Sequence, residues 1–229
     1  MKLLSVAVLA IGLGGCAAFP QATTPHTPMP DLSRAQRMPD VYAEVRLFRG
    51  QPDQNPETIT KGHGPMQASV KQAVSDSGLF HSVSFDEAAR NQADFRLRVD
   101  VYETCNQGST LAAEAVTAYT LGLVPVPTSQ QFTVRVSLLD HNGSTVRAIQ
   151  NTDGVRVWLG LWLLPVSASH TLESATNHTL TQQVQAGLVQ LYESGQMAAG
   201  YIMPSAPTGS VAAMQAGKPP ALPLKQGPQ

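Results

Sequence analysis

Two cysteines and six histidines are the side chains of this 229-residue chain best suited to covalent or metal chemistry. Their spacing works against most of it. His26, His63, His81, His141, His170 and His178 are scattered, and none forms the HExxH, His-x-His or CxxC grouping that presents ligands to one ion. On one helix, His170 and His178 would stand ~12 Å apart at ~1.5 Å per residue, too far to share a zinc ion. Cys105, in Glu103-Thr104-Cys105-Asn106, has no His or Lys within twenty residues to act as a base or lower its pKa. The loops GxSxG, GxxxxGK[ST] and GxGxxG are absent, which removes the usual signals for acyl transfer, nucleotide hydrolysis and dinucleotide binding. Asp94 and Asp100 alternate with Arg96 and Arg98, the pattern of a solvated row of ion pairs rather than of paired catalytic carboxylates. Gly62-His63-Gly64-Pro65 reads as a helix-entry turn, since only Lys61 stands beside it to attract an anion. No catalytic residue, metal ligand or cofactor is expected.

Cys16 has a different context. Met1-Lys2 gives a basic start, Leu3 to Leu13 is an apolar run, and Leu13-Gly14-Gly15-Cys16 follows at once. The run is too short to span a bilayer, which takes ~20 apolar residues. This arrangement resembles the bacterial lipobox. The resemblance implies cleavage before Cys16, with Gly14 and Gly15 small enough to admit the peptidase, and acylation of the Cys16 thiol. Ala17 in place of Asp implies sorting to the outer membrane, with the domain facing the periplasm. Several acyl chains on one residue make anchoring effectively stable. Acylation also consumes one of only two cysteines, so Cys105 lacks an intramolecular partner and a disulfide scaffold is excluded.

The net charge is -1 and only 14% of residues are charged, against a usual share of about 25%. A near-neutral chain without a run of Lys or Arg does not fit nucleic acid, while 42% hydrophobic residues fit a packed core. Four segments follow. Residues 1–15 form the lipoprotein signal peptide. Residues 16–40, with Pro20, Pro25, Pro28, Pro30 and Pro39, read as the lipidated cysteine and a Pro-rich tether, able to reach ~70 Å at ~3.1 Å per residue. Residues 41–195 form a globular domain, and 196–229 a Pro/Gly/Ala-rich tail expected to be disordered.

Inside the domain the period alternates between two and 3.6. Val41, Ala43, Val45 and Leu47 mark a strand. Met66, Val70, Ala73 and Val74 mark a helix entered at Pro65 and left at Gly78. Leu79 to Phe85 is a short strand, Phe95 to Tyr102 the clearest strand of the chain, and Phe132 to Leu138 another. Asp140-His141-Asn142-Gly143 then turns into a strand from Val146. Leu172, Thr176, Leu180, Val184, Leu188 and Leu191 mark a helix over 171–193, capped by a preceding Ser and by Gly195. The fold class is α+β: a mostly antiparallel sheet of four to five strands, a meander after the first helix, with two amphipathic helices packed on one face.

Two apolar stretches interrupt this pattern, 111–127 and 157–166. Each holds a Leu-Gly-Leu followed by Pro, and the second holds both tryptophans. Lying side by side at one sheet end, Leu121, Gly122, Leu123, Pro125, Trp158, Leu159, Trp162 and Leu163 would present an interface or membrane-contact edge. With Trp158 and Trp162 on one strand face and Leu159 and Leu161 on the other, burying both needs contact beyond the sheet.

Together with the lipobox and Pro-rich segment, Ser77-Gly78-Leu79-Phe80, Ala93-Asp94-Phe95-Arg96-Leu97 and Leu121-Gly122-Leu123-Val124-Pro125 resemble small bacterial envelope lipoproteins. The domain is similar to the N-terminal domain of TolB and to the curli-secretion and Pel-exopolysaccharide-export lipoproteins. The resemblance implies a non-enzymatic accessory or assembly component of an envelope or export complex, anchored in the membrane, with other envelope proteins or copies of itself as partners. The alternative is a periplasmic ligand- or glycan-binding lipoprotein using Arg98, Tyr102 and Arg135 on the sheet face opposite the helices.

Overall fold

The computed structural model describes residues 15–60, 63–105 and 107–201. The chain runs β1 (Cys16–Pro20), β2 (Asp40–Arg49), β3 (Glu57–Thr58), α1 (Gly64–Ser75), β4 (Ser82–Ser84), β5 (Phe95–Cys105), α2 (Gln107–Tyr119), β6 (Val126–Leu139), β7 (Thr145–Leu159), α3 (Leu164–Ser167) and α4 (Leu172–Glu193). These build an α+β fold on one seven-stranded sheet in the order β1-β7-β6-β5-β2-β3, with β4 also paired to β2.

The sheet is mixed and wider than the four to five strands expected. β5, β6, β7 and β1 are antiparallel neighbours, whereas β2 runs parallel to both β4 and β5. Parallel pairing follows from the connection, because α1 carries the chain back to the starting end of the sheet before β4 and β5 begin. Four α-helices stand among the described residues, not two. α2 occupies the first apolar stretch, where neither polar periodicity nor caps marked a helix, and α3 is a single turn.

β2 and β5 alternate as their residue types require: Val41, Ala43 and Leu47, with Leu97, Val99 and Val101, are buried against the helices. Phe132, Val134, Val136 and Leu138 continue the layer on β6. α4 covers it with Leu180, Val184, Leu188 and Leu191, all fully buried, each worth about 1.5–3 kcal/mol in removed apolar surface. Gly187 permits the close approach, since a Cβ there would lie 2.8 Å from Val136 Cγ2. The cap of α4 is Thr171, whose Oγ1 accepts from Ser174 N at 3.1 Å, not a serine. His170 precedes this helix and so shares no face with His178. In the β6–β7 turn Asp140 Oδ1 accepts from Asn142 N and Ser144 N, and the positive φ falls on Gly143 (84°).

Residues 16–40 do not hang free of the domain. Cys16–Pro20 is the edge strand, in register with β7 from Cys16↔Leu159 to Pro20↔Val155. Leu32 is buried, and Met29, Ala35 and Met38 pack against the core. A Pro-rich, weakly periodic segment reads as a tether; here its few apolar residues are spaced to meet the sheet rather than each other. At the other end, Met197 is fully buried and Tyr201 Oη donates to Leu79 O at 2.8 Å, so the domain continues past 195. The remainder of the expected tail, 202–229, and residues 1–14 of the expected signal peptide lie outside the described residues. Among the described residues no helix is long and apolar enough to cross a membrane.

Candidate functional site

The two Leu-Gly-Leu stretches meet at the end of the sheet where Cys16 begins β1. After α2 the chain reverses through Leu121 (φ 51°) and Gly122 (φ 74°), two successive left-handed residues. Leu161 N donates to Gly122 O at 2.8 Å, and Trp162 Nε1 donates to Leu123 O at 3.1 Å. Both glycines keep this crossing close. A Cβ on Gly122 would come 3.3 Å from Leu161 N, and one on Gly160 would come 3.2 Å from Pro125 Cα. A left-handed leucine costs about 1–2 kcal/mol, which the crossing must offset.

All eight residues expected at this edge lie together. Leu121, Leu123, Pro125 and Trp162 are exposed, Trp158, Leu159 and Leu163 are half-buried, and Gly122 is buried. The two tryptophans do not share a strand: β7 ends at Leu159, and Trp162 stands on the 3-10 turn Leu161–Leu163. Further exposed apolar side chains flank them in sequence. Leu111, Val116 and Tyr119 project from α2, with Val124, Leu164, Val166 and Leu172 nearby in sequence, and Tyr119 and Trp162 are 91% and 72% exposed. Apart from Val146, every large exposed apolar side chain among the described residues comes from 111–124 or 162–172. The α2 residues could be found in the sequence only as composition, because no face can be assigned to a stretch read as a loop. Glu114 is the single charged residue in 111–127, and 157–172 has none.

Cys16 is exposed at the margin of this patch, paired with Leu159. Gly15 is buried against α3, where a Cβ would lie 2.6 Å from Leu164 N. Leu13 and Gly14 lie outside the described residues. A buried aspartate fixes the segment that follows. Asp153 Oδ1 accepts from Thr23 Oγ1 at 2.8 Å and Thr23 N at 3.1 Å, and Oδ2 accepts from Thr24 N at 2.9 Å. Burial alone raises this carboxyl, but the hydrogen bonds from Thr24, Thr23 and Gly154 outweigh it and hold it below the ordinary value.

The opposite sheet face is engaged with itself. Asp100 accepts from Arg46 Nε and Nη2 at 2.7 and 2.9 Å, and Glu44 accepts from Arg98 Nε at 3.2 Å. Phe48 and Tyr102 stack at 5.0 Å. Tyr102 is only 6% exposed, and Arg96 is buried, donating to Arg90 O, His141 O and Asn91 Oδ1. Of the solvated row expected along β5, Arg98 and Asp100 pair across to β2, Arg96 is buried on loop oxygens, and Asp94 accepts from Arg37. Long side chains on adjacent strands reach each other before they reach water.

A cavity of about 450 Å³ opens between the first turns of α1 and α4, lined by His63, Met66, Glu103, Gln130 and Thr176 among others. Glu103 accepts from Gln130 Nε2 and lies 3.4 Å from His63 Nε2. Among the described residues no three His, Cys, Asp or Glu side chains converge as metal ligands would. Cys105 is unpaired, and loss of water around its sulfur, followed by the Glu103 carboxylate, raises its thiol pKa, the reverse of what activates a nucleophile.

No protein-family model and no curated protein matches the chain. Among solved structures it is similar to a PelC dodecamer from Paraburkholderia phytofirmans, at 13% identity over 76% of this chain and 96% of that one, TM-score 0.33. It is also similar to a homolog of the neuraminyllactose-binding hemagglutinin from Helicobacter pylori, at 9% identity over 75% and 89%, TM-score 0.38. A minor lipoprotein from Acinetobacter baumannii gives 13% identity over 73% and 96%, TM-score 0.28. Likenesses this distant assign no function.

Proposed function

We propose that this chain is a lipid-anchored, non-catalytic envelope lipoprotein, acting as an accessory or assembly component of an envelope or export complex at the periplasmic face of the outer membrane. The observation that carries it is the coincidence of Cys16 with the exposed apolar end. A lipobox-like cysteine and the main patch of unburied apolar side chains come from distant parts of the sequence, yet the fold sets them side by side. Contiguous apolar surface of this kind marks contact with protein or lipid. The face carrying Arg98, Tyr102 and Arg135 gives less support to ligand binding, because Tyr102 is covered and Arg98 is paired.

The test is a Cys16→Ser chain grown with a palmitate analogue. The wild type takes up label, loses its leader and bands with outer-membrane density; the variant stays unprocessed and unlabelled. Continued labelling of Cys16→Ser removes the anchor from this position.

A further inference from the structure

We infer that Asp153 seats this domain on the lipid bilayer, by clasping the segment behind Cys16 so that the anchor and the apolar end enter the same membrane surface. The inference rests on acylation at Cys16 and adds to it the partner of the apolar end and the residue that aligns it.

A lipoprotein held by a free tether of two dozen residues would leave its domain at any height and angle. Here the slack is gone. Cys16 is in register with Leu159, one residue before the Gly160-Leu161-Trp162 turn, and cross-strand Cα atoms stand only about 4.5–5.5 Å apart. Acyl chains on the Cys16 sulfur therefore start beside the Gly160–Leu163 turn, which is itself bonded to the Gly122–Leu123 reversal through Leu161 N and Trp162 Nε1.

What holds the short strand in place is polar and specific. Ala18 N donates to His170 O and Gln21 N to Gly154 O, both at 2.8 Å, and the two oxygens of Asp153 gather Thr23 and Thr24. Gly154 makes room, since a Cβ there would lie 2.9 Å from Gln130 O and 3.1 Å from Gln21 Oε1. Asp153 is itself buried, and a buried carboxylate that lost these donors would be left uncompensated, so strand and clasp hold together or open together.

The chemistry of the patch favours lipid over protein. Protein interfaces carry a polar rim and regular hydrogen bonds, whereas this end offers one charged residue, Glu114, in 111–127 and none in 157–172. Tyr119 and Trp162, with an apolar body and a polar edge, are the residue types that settle at the membrane–water boundary.

The experiment uses the acylated chain with Trp158→Phe, so that Trp162 is the only tryptophan, in vesicles of phosphatidylethanolamine and phosphatidylglycerol carrying brominated acyl chains. Trp162 fluorescence is quenched in the clasped protein. Asp153→Ala lowers that quenching without lowering palmitate label on Cys16; Thr23→Val, which removes one donor and leaves the carboxylate, lowers it less. Circular dichroism confirms that each variant is folded, and if Asp153→Ala is not, Thr23→Val decides. Labelled protein whose Trp162 is not quenched overturns the seating and leaves the anchor standing. Quenching unchanged in the folded variants overturns the role of Asp153. A chain unlabelled at Cys16 overturns both.

Discussion

Asp153 shows how one side chain couples parts of the chain 130 residues apart. Hydrogen bonds to a charged group contribute about 1.5–3 kcal/mol each when made, so Asp153→Ala is expected to lower stability by about 2–4 kcal/mol, read as a shift in the denaturation midpoint. The pH dependence has a definite sign. Because the folded carboxyl lies below its unfolded value of about 3.9, its contribution is fully present above that value and is lost as pH falls through the lower, folded one. The difference in melting temperature between wild type and Asp153→Ala should therefore be nearly constant between pH 7 and 5 and shrink below about pH 4. Cys105 gives an independent check. Its raised thiol should react with iodoacetamide at pH 7.5 more slowly than a free cysteine, whose pKa is about 8.5; a faster reaction would reinstate it as a nucleophile candidate. Neither property is visible in sequence, because both depend on neighbours that only the folded chain supplies: Thr23 and Thr24 for Asp153, and the packing around Cys105.

Elements with a clean period were legible. β2, β5 and α1 stand where alternation, Pro65 and Gly78 put them, and α4 spans Leu172–Glu193 as its apolar spacing required. Failures fall where residue type and environment disagree. α2 holds Ala, Leu, Val and Thr almost without charge, so its exposed side cannot be told from its buried one, and among its described side chains only Ala113 is buried. β1 is five residues with a terminal proline, stabilised by a partner 140 residues away that local pattern does not reveal. The parallel placement of β2 beside β5 is set by a crossover, which alternation does not encode. Contact between α4 and the sheet gives an element-scale prediction. Gly187→Ala forces a methyl to 2.8 Å from Val136 Cγ2 and should cost about 1–3 kcal/mol by overpacking, whereas Leu188→Ala should cost about 2–5 kcal/mol by leaving a cavity. Urea midpoints separate the two from a surface control such as Glu193→Ala, which should change little.

For the whole molecule, the sequence poses one question: what covers an apolar excess with so few charges. The fold answers most of it through the sheet and helices α1 and α4, and concentrates the remainder at the end where Cys16 lies. The eight edge residues were legible as two similar stretches, because Leu-Gly-Leu-…-Pro recurs; their nearness to Cys16 was not, because a tether was expected between the anchor and the domain. The apolar end, rather than the opposite face, is the docking surface proposed for this protein. Hydrogen exchange read by mass spectrometry tests it, comparing the acylated protein in outer-membrane vesicles with a Cys16→Ser chain expressed without residues 1–15, in solution. Slowed exchange is expected in 107–125 and 159–172, with β2 and β5 unchanged around Arg46, Arg98 and Tyr102. Slowed exchange on that opposite face, with 107–125 exchanging as freely in vesicles as in solution, would contradict it.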